Sequence, residues 1–300
     1  MSTEGSAESS LDRAVRDFEA ARPRLFGIAY RMTGSVGDAE DACQDTWLRW
    51  QAVDRAQVDN PEAFLVRTVT RLAIDRLRSA HHRKETYVGP YLPEPLVVDD
   101  ATETQPEVAA ELADSLTLAF LVLLDELSPV ERAVLLLHDV FGYPFDEVAA
   151  MVDSSPAACR QLASRTRRRL QGGQLEVRRP RAQEEQELVG ALLATVASGD
   201  IEQVMTLLAP DVVLLSDGGV ARHAARRPVV GPDRVARLMV NLAQRRHDTD
   251  IRLVHVNGDP GLVFRVDGRP DLVLSFSFAP DGRVLRVFGQ LNPEKLRHIV

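Results

Sequence analysis

A chain of 300 residues, 45% of them apolar and 27% charged, is long enough for two or three compact domains and too apolar for wholesale disorder. No apolar run approaches the ~20 residues of a membrane-spanning helix, and the polar, acidic Met1–Ser10 lacks the features of a secretory signal, so a cytosolic protein is expected. Two cysteines, Cys43 and Cys159, exclude a disulfide framework or a zinc site built on cysteine pairs, and a net charge of −8 excludes a uniformly basic surface.

The charge is unevenly placed. Arg67 to Lys84 carries six cations and one acid, Glu85 to Val130 carries ten acids and no cation, and Arg160 to Arg181 carries eight arginines and one acid. Two basic segments flanking an acidic stretch suggest local contact with a polyanion, because phosphate attraction needs only a local footprint. Each segment alone reads equally as a solvated helix face.

Residues 1–11 read as a disordered lead. From Leu11 to Arg31, Ala14, Phe18, Ala21, Leu25 and Ile28 recur at helical spacing. Thr33-Gly34-Ser35 breaks that helix, and Ser35 with Asp38 resembles a capping box. The next helix carries Ala39, Ala42, Cys43, Thr46, Trp47 and Trp50 on one stripe, with Asp38, Glu40, Asp41, Gln44 and Asp45 on the other face. Asn60-Pro61 opens a third helix, with Phe64, Leu65, Thr68, Leu72 and Leu77 near its apolar side. An all-α domain over residues 12–86 is expected. Gly89-Pro90-Tyr91-Leu92-Pro93-Glu94-Pro95 cannot be a regular helix, so 87–105 reads as a linker.

A second helical domain is expected over 106–171. Ser128-Pro129-Val130-Glu131 has the pattern of an N-cap, a first-turn proline and a capping glutamate. Phe145 to Arg165 reads as a helix-turn-helix in which Val148, Ala149, Val152, Cys159 and Leu162 pack two helices. Ser155 caps the second helix and Arg160, Gln161, Ser164 and Arg165 face outward to bases or phosphates. An ordinary helical hairpin is the plainer reading.

After Gly172-Gly173, helices over 184–198, 201–208 and 232–246 combine with short β-rich runs at 212–216, 251–256, 262–266, 272–278 and 284–291. Residues 182–300 therefore read as an α+β domain in which a curved antiparallel sheet wraps helices.

Several of these motifs, in this order, resemble an extracytoplasmic-function sigma factor of bacterial RNA polymerase. Asp38 to Trp47 resembles the domain 2 helix that docks on the polymerase clamp. Asn60 to Leu65 and Ala73 to Arg78 resemble the promoter −10 reader, and the helix-turn-helix resembles the domain 4 reader of the −35 element. Tyr91 to Pro95, Asp217-Gly218-Gly219 and Asn292-Pro293-Glu294-Lys295-Leu296 resemble signatures of the group with a fused SnoaL-like, NTF2-like C-terminal domain. The resemblance covers nearly the whole chain. It departs from the group at Tyr91, usually Trp, at Val220-Ala221, usually Gly-Lys, and at Arg71, often Asn.

The resemblance implies a fold of two all-α sigma domains plus an α+β NTF2-like cone. It implies promoter-specific initiation with core RNA polymerase, reached through the β′ clamp and the β subunit, without a cofactor or membrane. The candidate core-binding residues are Asp38, Glu40, Asp41, Gln44, Asp45 and Trp50. The −10 candidates are Asn60, Arg67, Arg71, Asp75, Arg76 and Arg78, where Asp75 could equally pair with Arg71 or Arg78. The −35 candidates are Ser155, Pro156, Ala157, Arg160, Gln161, Ser164, Arg165 and Arg168. Regulatory contacts are assigned to Tyr91, Leu92, Pro93, Glu94, Pro95, Asp217, Gly218, Gly219, Asn292, Pro293, Glu294, Lys295 and Leu296, the last five facing outward, with Arg222, Arg226 and Arg227 meeting the acidic stretch. The C-terminal domain is expected to regulate rather than catalyse, with room for a small ligand; the scattered histidines offer only His255, within a strand, as a group to watch. The alternative is an NTF2-like enzyme or ligand sensor carrying a DNA-binding domain, which would not copurify with core polymerase.

Overall fold

A computed structural model describes residues 10–85, 87–98, 117–171, 182–246 and 249–299. Most of the expected disordered lead, the acidic stretch 99–116 and the junction 172–181 lie outside the described residues. The chain divides into two compact units, one of Met1–His81 with Leu127–Arg169 and one of His82–Glu126 with Leu170–Val300. The first helical segment thus shares a unit with the helices after Glu126, and the linker lies in the same unit as the C-terminal α+β residues.

In chain order the first helices are α1 (Ser10–Thr33), α2 (Val36–Ala52), α3 (Pro61–Glu85), α4 (Leu118–Leu124), α5 (Pro129–Leu135), α6 (Phe145–Met151) and α7 (Pro156–Gln171). α4 falls in the second unit. Local chemistry sets their ends. Ser35 Oγ accepts the Asp38 amide at 3.2 Å, and the Ser35 amide donates to Thr33 Oγ1 at 3.3 Å. Ser128 and Glu131 form both arms of a capping box at α5. α5 continues into a π-helical turn over Leu136–Val140. The core of this unit buries Leu25, Ile28 and Met32 of α1 with Trp50 of α2 and Leu65 of α3. Cys43 and Cys159 are buried thiols, and burial pushes Cys43 up to about 12.

The second unit adds α8 (Ala182–Ser198), α9 (Ile201–Thr206) and α10 (Pro232–Gln244). Its strands are β1 (Val97–Val98), β2 (Leu208–Asp217), β3 (Val229–Val230), β4 (Asp250–Val256), β5 (Asp259–Val266), β6 (Arg269–Phe278) and β7 (Val284–Gln290). They form one sheet in the order β1-β4-β5-β6-β7-β2-β3. Register shifts in β2, β5 and β6 bend the strands, as bulges do, and curve the sheet around the helices. Val189, Leu192, Val204, Val235, Phe276 and Val287 lie in the shared core; burying each large side chain contributes about 1.5–3 kcal/mol.

One expectation needs correction. The sheet is mixed, because β2 runs parallel to β7 while the other described pairs are antiparallel. A parallel pair needs a long crossover, and the whole β3–β7 stretch supplies it. The pattern also misses β1 and β3. Two residues are too short for any periodicity, and each is a strand only because a neighbour pairs with it.

Candidate functional site

The outer face of α2 is acidic. Glu40, Asp41 and Gln44 are exposed, and Asp38 and Asp45 are half-buried. Asp45 accepts from Arg76 Nη2 at 2.7 Å, so it is tied to α3. Trp50 is not on this surface: it is 1% exposed, its indole donates to Ala14 O at 3.1 Å, and its ring meets Phe64 at 5.5 Å. Its contacts with α1 and α3 cover it, so its assigned surface role is withdrawn. Trp47 is half-buried against Phe18, and Leu48, which the pattern did not single out, is 54% exposed beside the acids.

The cations of α3 divide by partner. Arg67 is exposed above the Phe64 ring. Arg78 pairs with Asp75 at 3.3 Å, one of the two partners expected for that acid. Arg76 holds Asp45. Arg71 donates to Asp153 Oδ1 at 2.5 Å and reaches Met151 O at 3.4 Å, both in the helix-turn-helix. Asn60 is exposed and its Oδ1 accepts the Ala63 amide at 3.0 Å, so it caps α3. Arg24 adds a second cross-link, to Glu62 at 2.6 Å and the Tyr143 hydroxyl at 3.4 Å. The Arg132 guanidinium donates to Arg31 O at 2.9 Å.

The helix-turn-helix forms as its residues suggest. Val148, Ala149 and Cys159 are buried, Val152 and Leu162 are half-buried, and Ser155 Oγ accepts the Ala158 amide at 3.1 Å. Asp153 takes the left-handed turn conformation at φ 54°, which Asp tolerates better than most residues. Ser155, Ala157, Arg160, Gln161, Ser164, Arg165 and Arg168 are exposed and Pro156 is half-buried. Arg167 and Arg169 are engaged within the unit, by Asp139 and Glu131. His138 stacks on Phe145 and lies 2.8 Å from Tyr143 O through Nδ1.

In the second unit the three remote signatures come together. Asp217 on β2 is buried and accepts from Lys295 Nζ at 2.8 Å, the Leu92 amide at 2.9 Å, the Tyr87 hydroxyl at 2.6 Å and the Gly219 amide at 3.0 Å. Lys295 Nζ also donates to Leu92 O at 2.6 Å and lies 3.2 Å from the Tyr91 ring centroid, a cation–π contact. Gln290 Nε2 reaches Pro93 O at 3.3 Å, and His298 Nε2 lies 2.8 Å from Pro95 O. β1 then adds the linker to the sheet edge beside β4, and Leu96 exchanges hydrogen bonds with Asn257. Leu92, Pro93 and Pro95 are buried, and Glu94 is half-buried.

The two glycines of the Asp-Gly-Gly motif have steric causes. A Cβ on Gly218 would stand 2.4 Å from Arg222 O, and one on Gly219, at φ 57°, would stand 2.7 Å from Asn292 Nδ2. Asn292 caps the turn over Pro293–Leu296 and donates to the Tyr87 hydroxyl at 2.9 Å. Only Pro293 and Glu294 of that turn face outward; Asn292, Lys295 and Leu296 are buried, which corrects the expectation of an outward-facing segment. The turn folds back over the sheet because Leu296 and Lys295 find their burial and charge partners there. Arg222 pairs with Asp271 at 2.6 Å, and residues 99–116 of the acidic stretch that it was expected to meet lie outside the described residues.

These contacts clamp the linker, and the side chains among them that the sequence reading did not place there are Tyr87, Asn257, Gln290 and His298. Tyr87 had a signal: it stands four residues before Tyr91 in a proline-rich segment, and the two rings meet edge to face at 5.0 Å. Burial pushes the Tyr87 hydroxyl well above its ordinary range, and the hydrogen bond to the Asp217 carboxylate adds to the shift.

The other face of the same sheet, with α8 and α10, encloses a cavity of about 950 Å³. Its polar lining residues are Ser216, His223, Gln244, Arg246 and Thr249, and the rest of the lining is apolar. His255 is not among them. Among the described residues no helix is long and apolar enough to cross a membrane.

The family model for Sigma-70 region 2 matches residues 18–83 and that for Sigma-70 region 4 matches residues 117–170. The chain is 40% identical to the ECF RNA polymerase sigma factor SigJ of Mycobacterium tuberculosis, over 94% of this chain and 92% of that one. It is 28% identical to the probable ECF sigma factor SigI of the same species, over 96% of each. The crystal structure of SigJ superposes with a TM-score of 0.76 at 37% identity, covering 94% of this chain and 98% of that one.

Proposed function

Because this chain belongs to the extracytoplasmic-function sigma factors of RNA polymerase, we propose that its three surfaces divide the work of initiation and that the linker clamp governs it. The acidic face of α2, with Asp38, Glu40, Asp41 and Gln44, docks on the clamp of the β′ subunit, and Leu48 adds apolar contact. The carboxylates steer that encounter and set its register more than its affinity. Helix α3 meets the −10 element through Arg67 and Arg78, with Arg71 and Arg76 available once they leave Asp153 and Asp45. Helix α7 reads the −35 duplex, Arg160 and Gln161 at base edges and Arg165 and Arg168 at phosphates.

The observation that carries the regulatory part is the clamp itself. An ion pair, two tyrosine rings, a strand pairing and several backbone hydrogen bonds hold residues 87–98, the chain that joins the two sigma regions. A free tether would let those regions take any spacing; a clamped one restricts them to the spacings its fixed path permits. In this reading the SnoaL-like unit is a regulatory module rather than an enzyme, working in the cytosol beside the polymerase. The ion pair Arg71–Asp153 fits the same scheme, since it occupies a −10 cation with a residue of the −35 module. Promoter engagement then requires a population shift to a state in which that pair is open.

Transcription in vitro with core enzyme and a genomic promoter library tests this. The full chain is expected to give promoter-specific transcripts, and Lys295→Met to change their yield or promoter choice. An unaltered transcript profile with a demonstrably released linker would refute the regulatory role.

A further inference from the structure

We propose that the cavity of the C-terminal unit is a binding site for an apolar small molecule carrying one negative charge. The volume of about 950 Å³ lies at the upper end of the range of small-molecule sites. Its walls are Leu214, Met239, Phe264, Leu274, Phe276 and Val287, drawn from β2, α10, β5, β6 and β7. Three further lining residues remain unusually open to solvent: Leu242 at 40%, Ile251 at 46% and Leu253 at 41%. Large aliphatic side chains on both α10 and β4, left uncovered around one void, are a surface that gains by being covered.

The polar groups fix the class. Arg246 lines the cavity, only one-fifth exposed, with its guanidinium 5.7 Å from the Phe264 ring centroid and its Nη1 2.7 Å from Asp271 Oδ2. Asp271 also accepts from Arg222 at 2.6 Å. Among the described residues, one carboxylate between two guanidinium groups gives this triad a charge of +1, and a guanidinium carries five N–H donors, so acceptors of an anion can be met there. The lining is otherwise apolar save Ser216, His223, Gln244 and Thr249, and the Ser216 hydroxyl already accepts the Ala225 amide at 3.0 Å. A hydrophobic body with a single carboxylate or sulfonate matches this pattern; a sugar or nucleotide, rich in hydroxyls, does not. The site stands whether or not the unit governs initiation, because its test reads binding alone.

The test titrates the full chain with two fluorescent probes that share one ring system, 1-anilinonaphthalene-8-sulfonate and its neutral analogue N-phenyl-1-naphthylamine. Both are expected to saturate at one probe per chain, the sulfonate more tightly. Arg246→Gln is expected to weaken the sulfonate about tenfold and leave the neutral probe unchanged. Ala243→Trp on α10 and Ala197→Trp on α8 fill the cavity from two walls and are expected to abolish both signals while the melting temperature holds. Non-saturable fluorescence, or wild-type binding in both folded tryptophan variants, overturns the site. An Arg246→Gln variant that changes both probes equally, or neither, overturns the anionic class.

Discussion

Lys295 and Asp217, 78 residues apart, form a buried ion pair of 2.8 Å whose remaining valences are filled by the linker. Lys295 Nζ spends a second donor on Leu92 O, and Asp217 spends acceptors on Tyr87 and the Leu92 amide. Breaking such a pair from one side leaves a buried charge, at a cost of about 3–5 kcal/mol. Lys295→Met is therefore expected to lower the melting temperature of the unit and to speed proteolysis within residues 87–98. Adding Asp217→Leu is not expected to restore the clamp, because Tyr87, Leu92 and Gly219 all lose their acceptor. Protection of the linker in either variant would show that the pair does not hold it.

The Tyr87 hydroxyl gives the clamp a pH dependence. Its pKa is raised by burial and by the Asp217 carboxylate above the ordinary 10.0. The folded state thus favours the protonated hydroxyl. That contribution is whole below pH 10 and is lost as the pH climbs from there through the higher folded value. Urea unfolding at pH 8 and pH 11 should show a larger alkaline loss for the wild type than for Tyr87→Phe. Equal losses would remove Tyr87 from the clamp.

Arg71–Asp153 is short but exposed, with side chains 42% and 77% accessible, so it contributes at most about 1 kcal/mol. Asp153→Asn keeps the turn conformation and removes the charge. Single-stranded −10 DNA is expected to bind the variant two- to fivefold more tightly, as read by fluorescence anisotropy at fixed salt. No gain, in a folded protein, would mean that the pair does not compete with DNA.

Core binding should rest on the exposed acids of α2. Glu40→Arg with Asp41→Arg is expected to weaken association with core polymerase about tenfold or more without lowering the melting temperature. Asp45 is a poorer probe, since changing it also frees Arg76. Unchanged affinity in the double variant would move the docking face elsewhere.

Helix α7 separates base reading from phosphate attraction. Arg160→Ala is expected to relax sequence choice at about 1–3 kcal/mol per contacted base pair. Arg168→Ala is expected to weaken all duplexes alike and to flatten the salt dependence by about one unit. A competition assay across promoter variants distinguishes the two, and an identical profile for both variants would remove Arg160 from base reading.

Much of this was legible in the order of residues alone. Helical periodicity placed α1, α2 and α3, the Ser128–Glu131 box and Ser155 marked their helix starts, and alternating runs marked the long strands, because each of these signals lies within a few neighbouring residues. The outward set on α7 followed from the same local geometry. Trp50 could not be placed that way: a stripe says which residues share a face, and only the packing of α1 and α3 decides which of them is covered. The same holds for Arg71, whose partner Asp153 lies 82 positions away. The clamp is the clearest case. Tyr91, Asp217 and Lys295 could be singled out as motifs, but that they meet depends on the parallel pairing of β2 with β7, which sets Asp217 opposite Gln290. Strand alternation then turns Ser216 toward the cavity and Asp217 toward the linker. Ionic and hydrogen-bonding forces act over a few ångströms, so residues hundreds apart in sequence carry no mutual signal until the sheet closes and brings them within that reach.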